Sequence, residues 1–227
     1  MTLLVAGAFE PELAPLRRTL PASPDIAYHV CGVGMVAAAA STAAYLERLR
    51  PSAGAIRVLF VGSVGAADPQ VPIFTSIACF RVTLVDIASC SGVASLGPIA
   101  PLTLEGDGAI AARIRKRADP ELLVSPIYSA LGLTRDRDVG SRLARATDAY
   151  FENLELYGIA TACRLHGVPW LSISTVTNHL HSGAQAEWQT NHSEAAERTA
   201  VLAQMYLSEL LESPILLRNC SNLVTKS

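Results

Sequence analysis

The segment 151–178 constrains the fold of this chain more than any other part of it. It predicts a helix, a tight Gly-Val-Pro connection, and a buried strand that ends in the polar pair Thr177 and Asn178. Two carboxylates, those of Glu152 and Glu155, open the predicted helix. Open α/β sheets bind ligands at the carboxyl ends of their strands. We therefore expect an acid and an amide from this segment to meet at one cleft.

Predicted strands and helices alternate along the rest of the chain. The predicted strands are the apolar runs 3–8, 26–31, 57–61, 74–80, 82–87, 122–128 and 169–176. The predicted helices are 35–49, 108–118, 153–166 and 193–211. This alternation, with most strands apolar on both faces, predicts a three-layer α/β/α sandwich around a mixed, largely parallel sheet. No linker rich in Pro, Gly or Ser divides the chain, so we predict one domain over residues 1–218 and a loose tail over 219–227.

The composition argues against nucleic acid and membranes as partners. The formal net charge is -2, and no basic run is interleaved with aromatic residues, as nucleic-acid binding would favour. No stretch of about 20 apolar residues is free of charge, as a membrane span requires. The 5 cysteines are scattered and show no CxxC spacing, which predicts reduced thiols in a cytoplasmic protein.

Three short motifs are open to a functional or a structural interpretation. Gly32-x-Gly34 fits a dinucleotide-binding turn, but no acid ends the next strand, so a plain strand-to-helix turn is favoured over NAD binding. Ser63 lies in a Gly-Ser-Val-Gly segment that lacks the first glycine of a nucleophile elbow, so we interpret it as a turn at a strand end. His179-x-His181 has no positioned third ligand, so surface histidines are favoured over a metal site. We expect no metal and no cofactor.

Five motifs, which include the two glycine segments above, follow one another along the chain. They start at Gly7, Gly32, Gly62, Leu154 and Val176, and their letters are GAFEPE, GVGMVAA, GSVG, LELYGIA and VTN. In this order they resemble the nucleoside phosphorylase/nucleosidase superfamily, and within it the methylthioadenosine/S-adenosylhomocysteine nucleosidases and the futalosine hydrolases. The resemblance covers most of the chain and implies a nucleoside phosphorylase-like fold, a purine nucleoside as ligand and a homodimer, with residues 79–101 as a candidate interface.

The resemblance also implies roles for eight residues. Glu12 is the general base that activates the attacking water, although an acid directly after the first strand also suits a helix start. Asn178 meets the five-membered ring of the purine, and Glu155 binds the ribose hydroxyls. The other implied contacts are Phe9 and Leu154 with the sugar, Ser63 and Gly65 beside the ribose and the water, and Trp188 as a cover over the substrate.

Two departures from the family pattern refine the expected activity. Phe60 stands where the phosphorylases carry an arginine for phosphate, so hydrolysis is favoured over phosphorolysis. Asn178 stands where the nucleosidases carry an aspartate. An amide cannot deliver a proton but can donate one hydrogen bond and accept another, which suits a 6-oxopurine. A futalosine-type hydrolase that releases hypoxanthine is therefore favoured, and the methylthioadenosine/S-adenosylhomocysteine type comes next.

Three alternatives stay open at this point. The chain could be a nucleoside phosphorylase, or a nucleoside-binding relative with weak or no turnover, for which the Asn178 departure is the support. The third alternative is an NAD-dependent oxidoreductase, which rests on the Gly32-x-Gly34 turn alone.

Overall fold

The computed structural model describes residues 1–20, 23–50, 54–97 and 102–212. The predicted tail over 219–227 and the predicted end of the domain at 218 lie outside the described residues. In chain order the elements are β1 (Thr2–Gly7), α1 (Glu10–Thr19), β2 (Ile26–Val30), α2 (Met35–Leu49), β3 (Ile56–Ala66), β4 (Ser76–Cys79), β5 (Arg81–Leu84), α3 (Ile87–Cys90), β6 (Thr103–Glu105), α4 (Gly108–Arg117), β7 (Leu122–Val124), β8 (Ile127–Ser129), α5 (Arg137–Thr147), β9 (Phe151–Glu152), α6 (Leu156–His166), β10 (Trp170–His179), α7 (Ala184–Met205) and α8 (Leu207–Glu212).

The described strands form one mixed sheet. Eight of them follow the order β6-β5-β8-β9-β3-β10-β4-β7, and β1 joins the sheet by pairing with both β2 and β3. The pairings β1–β2, β1–β3, β3–β10, β4–β7, β5–β8 and β8–β9 are parallel. The pairings β4–β10, β3–β9 and β5–β6 are antiparallel. The predicted mixed, largely parallel sheet is thus confirmed.

Apolar side chains of the central strands pack on both faces of the sheet. Along β3, Val58 and Phe60 join one core cluster, which includes residues of α2 and α6. Leu59 and Val61 join a second cluster, which includes residues of α1, α4 and α7. Successive side chains of a strand point to opposite faces. Each face is therefore covered by helices, and this confirms the three-layer sandwich.

The buried cation of β3 has a structural role. Arg57 is 0% exposed, and its Nε donates to Asp107 Oδ2 at 2.8 Å. Asp107 also caps α4 by accepting from the backbone N–H groups of Ala109 and Ile110. A buried charge is tolerated when it is paired in this way. Arg57 is therefore committed to holding α4 against the sheet.

Several element boundaries differ from the sequence predictions. The Gly-Ser-Val-Gly segment around Ser63 is not a turn at a strand end, because β3 continues through it to Ala66. The run 122–128 is two strands, since Pro126 lies between them and β7 pairs with β4 whereas β8 pairs with β5. Glu152 does not open a helix but lies in the two-residue strand β9, and only Glu155 stands at the start of α6.

Helices α1, α3 and α5 lie outside the four predicted helices, and α7 begins earlier than predicted. Helix α5 was not predicted because it is short and mostly polar, and it buries only Gly140, Leu143 and Ala144. Helix α7 begins at Ala184, earlier than the predicted 193, so it includes Trp188. In the part of the chain that the structure describes, no helix combines the length and the apolar character needed to cross a membrane.

Candidate active site

The candidate site lies against β3, which has two different neighbours on one edge. β1 pairs with the first part of β3, up to Ala6 opposite Phe60. β9 pairs with the last part, where Glu152 lies opposite Gly65. β10 occupies the other edge of β3, so β1 and β9 share the first edge. The chain that leaves β1 therefore turns away from β3 before the part of that edge where β9 pairs. A cavity opens at this gap.

The cavity has a volume of about 330 Å³, which suits a small organic molecule. The eight residues predicted from the sequence all line it: Phe9, Glu12, Ser63, Gly65, Leu154, Glu155, Asn178 and Trp188. The remaining lining residues were not predicted: Ala8, Val33, Leu133, Glu152, Asn153, Thr177 and Gln185. The structure therefore brings the predicted set together in one place.

Glu12 is held by donors from two elements. It lies in the first turn of α1 and is 8% exposed. The Ala8 N–H donates to its Oε2 at 2.7 Å, and Ser63 Oγ donates to its Oε1 at 3.2 Å. The Trp188 Nε1–H in turn donates to Ser63 Oγ at 3.2 Å. A chain of hydrogen bonds thus fixes the carboxylate at the cavity wall.

The environment of Glu12 favours its protonated form. Burial, reinforced by the charge of Glu155, raises the pKa of Glu12 from 4.5 to about 8, against the opposing effect of the donors Ala8 and Ser63. A pKa close to the working pH is the property expected of a general base. Glu12 is therefore equipped to take a proton from a bound water.

Glu155 is oriented by a second, separate network. Its Oε1 accepts from the Gly34 N–H at 2.9 Å, and its Oε2 accepts from Asn153 Nδ2 at 3.0 Å. Asn153 Oδ1 accepts from the backbone N–H groups of Glu155 and Leu156, at 2.9 and 2.7 Å, at the start of α6. Burial raises the pKa of Glu155 as well. A second carboxylate is thereby fixed in the cavity wall.

The Gly32-x-Gly34 segment has a local role in this network. Both glycines have positive φ, 89° and 86°, as a tight strand-to-helix turn requires. Gly34 is also the N-cap residue of α2. The motif thus forms the turn favoured from the sequence, and its second glycine holds Glu155.

Asn178 lies beside Gly65 at an irregular point of the sheet. The pairing of β10 with β3 shifts by one residue between Val176 and Asn178, and this shift places Asn178 opposite Gly65. Thr177 Oγ1 donates to Asn178 Oδ1 at 2.9 Å. Asn178 Nδ2 donates one of its two hydrogens to the His179 carbonyl at 3.3 Å. The second N–H of the amide is left for a ligand.

Aromatic rings cover one side of the cavity. The ring centroids of Phe9 and Trp188 lie 5.8 Å apart at an interplanar angle of 48°. Trp188 stacks on His192 at 4.9 Å. Leu154 lies in the same cavity lining. The site therefore combines an apolar cover with polar groups at defined positions, as is typical of pockets for small molecules.

Glu152 is the functional group that the sequence interpretation placed wrongly. It is 2% exposed, lies in β9 and accepts from both the N–H (2.9 Å, to Oε1) and the Oγ1 (to Oε2) of Thr134. Its position depends on the pairing of β9 with β3 and on the loop before α5. A two-residue strand has no periodicity from which to predict it.

Three carboxylates thus face the cavity, those of Glu12, Glu152 and Glu155. Its lining, taken over the described residues, includes no Lys, Arg or His. Among the same residues, no group of three or more His, Cys, Asp or Glu side chains is arranged to hold a metal ion. The site therefore offers a negative field and hydrogen-bond donors, but no cation to bind an anionic nucleophile.

His179 and His181 lie beside this site and are both bound to Glu187. The His179 N–H donates to Glu187 Oε2 at 2.8 Å, and His181 Nε2 lies 2.9 Å from Glu187 Oε1. The hydrogen bonds to the backbone of His179 and to the His181 ring lower the pKa of Glu187, although its partial burial opposes this effect. The two histidines thus attach the end of β10 to α7, next to Trp188.

Comparison with known proteins agrees with this geometry. The model of the phosphorylase superfamily matches residues 19–212. The chain is 29% identical over 229 residues to the futalosine hydrolase of Streptomyces coelicolor, covering 88% of this chain and 94% of that protein.

Two solved structures from Helicobacter pylori share the fold. One is a mutant 5'-methylthioadenosine/S-adenosylhomocysteine nucleosidase (MTAN) with 5'-methylthioadenosine in its active site. Its TM-score is 0.79 at 18% identity, and the match covers 92% of this chain and 99% of the other. The second is a mutant futalosine hydrolase of strain 26695 (TM-score 0.79, 17% identity, 92% and 100%). Because the family model spans most of the described residues, the chain belongs to the phosphorylase superfamily.

Proposed function

We propose that this protein is a purine nucleosidase, which hydrolyses the N-glycosidic bond of a nucleoside with a water molecule activated by Glu12. The observation that carries the proposal is the buried Glu12 carboxylate at the wall of the cavity, with its pKa raised to about 8. The similarity to a futalosine hydrolase over 88% of the chain supports the same activity.

In the proposed mechanism, Glu12 accepts a proton from the attacking water. Ser63 and the Ala8 N–H hold the Glu12 carboxylate in place. Glu12 lines the cavity together with Phe9 and Ser63, and we place the attacking water between this carboxylate and the sugar. The carbon–nitrogen bond to the base breaks as the carbon–oxygen bond to the water oxygen forms. The proton of the water passes to Glu12, and the electron pair of the broken bond goes to the base.

The transition state of such a reaction resembles an oxocarbenium ion, because positive charge develops on the sugar as the base departs. Glu155, fixed by Gly34 and Asn153, is proposed to bind the ribose hydroxyls. The paired negative charges of Glu155 and Glu12 interact more strongly with the cationic sugar than with the neutral substrate. This difference lowers the barrier.

Asn178 is proposed to stabilise the departing base. Its amide N–H donates to the five-membered ring of the purine as negative charge gathers there. It cannot act as an acid in the way an aspartic acid would. The base that leaves must therefore tolerate departure without a proton from this side chain, and a 6-oxopurine such as hypoxanthine is the better anion. We therefore favour a futalosine-type substrate over methylthioadenosine.

Water is favoured over phosphate as the nucleophile. A phosphorylase must hold an anion beside the sugar, which requires cationic donors. The described lining of the cavity has three carboxylates and no cation. Phe60 has its side chain in the core, at 1% exposure, and Arg57 is bound to Asp107. Phosphate would therefore meet repulsion at this site.

Base release from a panel of nucleosides tests the proposal. The purified protein is incubated with futalosine, inosine, 5'-methylthioadenosine and S-adenosylhomocysteine, with and without phosphate, and the free base is measured by chromatography. We expect release without phosphate, fastest from futalosine. Release that requires phosphate would show a phosphorylase instead.

The variant Glu12→Gln is the key control for the mechanism. It keeps the size of the side chain and removes the base, so turnover should fall by at least about a hundredfold, while nucleoside binding persists. Glu10→Gln makes the same chemical change on an exposed side chain of the same helix and should leave turnover intact. Tight binding without release in the wild-type protein would instead support a nucleoside-binding relative, the alternative that Asn178 favours.

A further inference from the structure

Glu187 lies outside the lining of the cavity, but it directly precedes Trp188, which is part of that lining. Both oxygens of its carboxylate contact the chain at the end of β10: the His179 N–H donates to Oε2 at 2.8 Å, and His181 Nε2 lies 2.9 Å from Oε1. Gly183, the N-cap residue of α7, has no side chain with which to cap the helix. The start of α7 is therefore attached to the sheet by Glu187.

The ring of His181 is fixed as a donor toward Glu187. A backbone N–H can only donate, and Gly183 N lies 3.0 Å from His181 Nδ1, so this ring nitrogen accepts. The ring proton is then on Nε2, which faces the carboxylate. A methyl group on Gly183 would lie 2.8 Å from His181 Cε1, so the turn has no room for a larger residue. The local chain thus sets the contact between His181 and Glu187.

Trp188 connects the start of α7 to the Glu12 carboxylate. An indole N–H can only donate, so Ser63 Oγ accepts from Trp188 Nε1 at 3.2 Å. The single hydroxyl hydrogen of Ser63 is then left for Glu12 Oε1, at 3.2 Å. Without the indole N–H, this hydroxyl group would be free to rotate away from the carboxylate. A displacement of Trp188 would therefore reach Glu12 through one hydroxyl group.

We propose that Glu187 is a positioning residue for the base Glu12 and that it acts through Trp188. This inference rests on the proposed function, because it assumes that Glu12 is the base. By attaching α7 to β10 at the residue before Trp188, Glu187 fixes the distance of the indole N–H from Ser63 and hence the direction of the hydroxyl group. A base must lie within hydrogen-bond reach of its water, so a carboxylate that loses one of its two donors is less well aimed.

The separate effects on kcat and KM test the inference. Both constants are measured with the nucleoside that the wild-type protein hydrolyses fastest. In Glu187→Ala, kcat should fall about 10- to 100-fold, whereas KM should change little, because the contacts with the bound substrate remain. Glu194→Ala removes an exposed carboxylate that binds Arg198 on the same helix and should keep the wild-type kcat. A rise in KM with unchanged kcat would show that Glu187 only seats the aromatic cover, and would overturn the inference.

A double-mutant cycle shows whether Glu187 acts through Trp188. Trp188→Phe keeps an aromatic ring over the cavity but removes the N–H that donates to Ser63, so kcat should fall. In this background Glu187→Ala should lower kcat by less than about twofold more, since the connection is already cut. Equal factors in the wild-type and Trp188→Phe backgrounds would contradict the inference.

Tryptophan fluorescence reports on the same contact without turnover. Of the 2 tryptophans, Trp170 is only 2% exposed, so added acrylamide quenches mainly Trp188. Glu187→Ala should increase this quenching, because the start of α7 is released from β10, and Glu194→Ala should not. Unchanged quenching in Glu187→Ala would refute the inference whatever the activity of the protein.

Glu187→Gln remains informative should Glu187→Ala not fold. It keeps an acceptor oxygen for the His179 N–H, so kcat should fall less than in Glu187→Ala; wild-type kcat in both variants would overturn the inference. Failure of the proposed function gives a different result. A protein that releases no base from any nucleoside, but whose Trp188 is quenched more in Glu187→Ala, would refute hydrolysis and support the positioning of Trp188 by Glu187. A working hydrolase whose kcat ignores both substitutions would refute only the inference.

Discussion

Replacing Glu12 with Gln should stabilise the fold at alkaline pH while it removes activity, and the size of the gain follows from the Glu12 site. The pKa of Glu12 is 4.5 in an exposed carboxyl and about 8 in the folded protein, mainly because of burial. The fold thus favours the protonated form. The stability that the protonated form of Glu12 contributes is fully present below pH 4.5, and it is lost as the pH rises through about 8.

The magnitude comes from the separation of these two pKa values. Between them, each pH unit costs the folded state about 1.4 kcal/mol, so the total loss is about 5 kcal/mol. The amide introduced by Glu12→Gln would not ionise and would escape this loss. It fits the same contacts when its oxygen accepts from the Ala8 N–H and its NH2 group donates to Ser63 Oγ. The advantage of Glu12→Gln over the wild type should therefore grow by about 4 kcal/mol from pH 5 to pH 9.

Urea unfolding at pH 5, 7 and 9, followed by circular dichroism, measures this difference for the wild type and the variant. Glu10→Gln is the matched control, because it removes an exposed carboxylate from the same helical turn. A difference between Glu12→Gln and the wild type that stays constant from pH 5 to pH 9 would refute the raised pKa. It would also remove the main argument for Glu12 as the base.

Three further predictions concern the same cavity. The proposed base, Glu12, would act in its ionised form, so kcat/KM should rise about tenfold per pH unit below about pH 8 and then level off; a flat profile between pH 6 and pH 9 would contradict a Glu12 base. Asn178→Asp supplies a carboxyl that can donate a proton, so the ratio of kcat/KM for 5'-methylthioadenosine to that for futalosine should rise about tenfold, and an unchanged ratio would count against the role given to Asn178. In Gly65→Ala the new Cβ would lie 2.7 Å from Leu180 Cδ2 and 2.9 Å from Asn178 Nδ2, so both the free energy of unfolding, by about 1–3 kcal/mol, and kcat/KM should fall. Gly108→Ala, where nothing lies within 4 Å of the new atom, should lower neither, and a Gly65→Ala protein as active and stable as this control would disprove the crowding argument.

The sequence predicted elements well where one local signal governs them. Helix α2 begins at Met35 and ends at Leu49, as its Ala-rich composition and the following proline indicate. The strands buried on both faces were also recognised by their continuous apolar runs, and these fix the class of fold. Boundaries failed where small residues continue a strand, as they do around Ser63.

The candidate site was predictable to the extent that it follows adjacent strands. Glu12 comes just after β1, Ser63 lies on β3 and Asn178 lies on β10, and these three strands are neighbours. Glu152 and Thr134 could not be predicted in this way. Their contact depends on β9 pairing with the far end of β3 and on a loop about 18 positions earlier in the chain. No periodicity within either segment encodes that approach.

The charge of the cavity has a consequence for what it binds best. Glu12, Glu152 and Glu155 are all buried, burial raises the pKa of each, and the described lining supplies no cation to compensate them. A neutral nucleoside gains little from such a field, whereas a sugar that develops positive charge gains much, since the interaction is strong in a site that excludes water. In the proposed mechanism, the positive charge that these carboxylates attract is the one that develops on the sugar in the transition state. The same carboxylates that lower the stability of the folded state would then lower the barrier to hydrolysis.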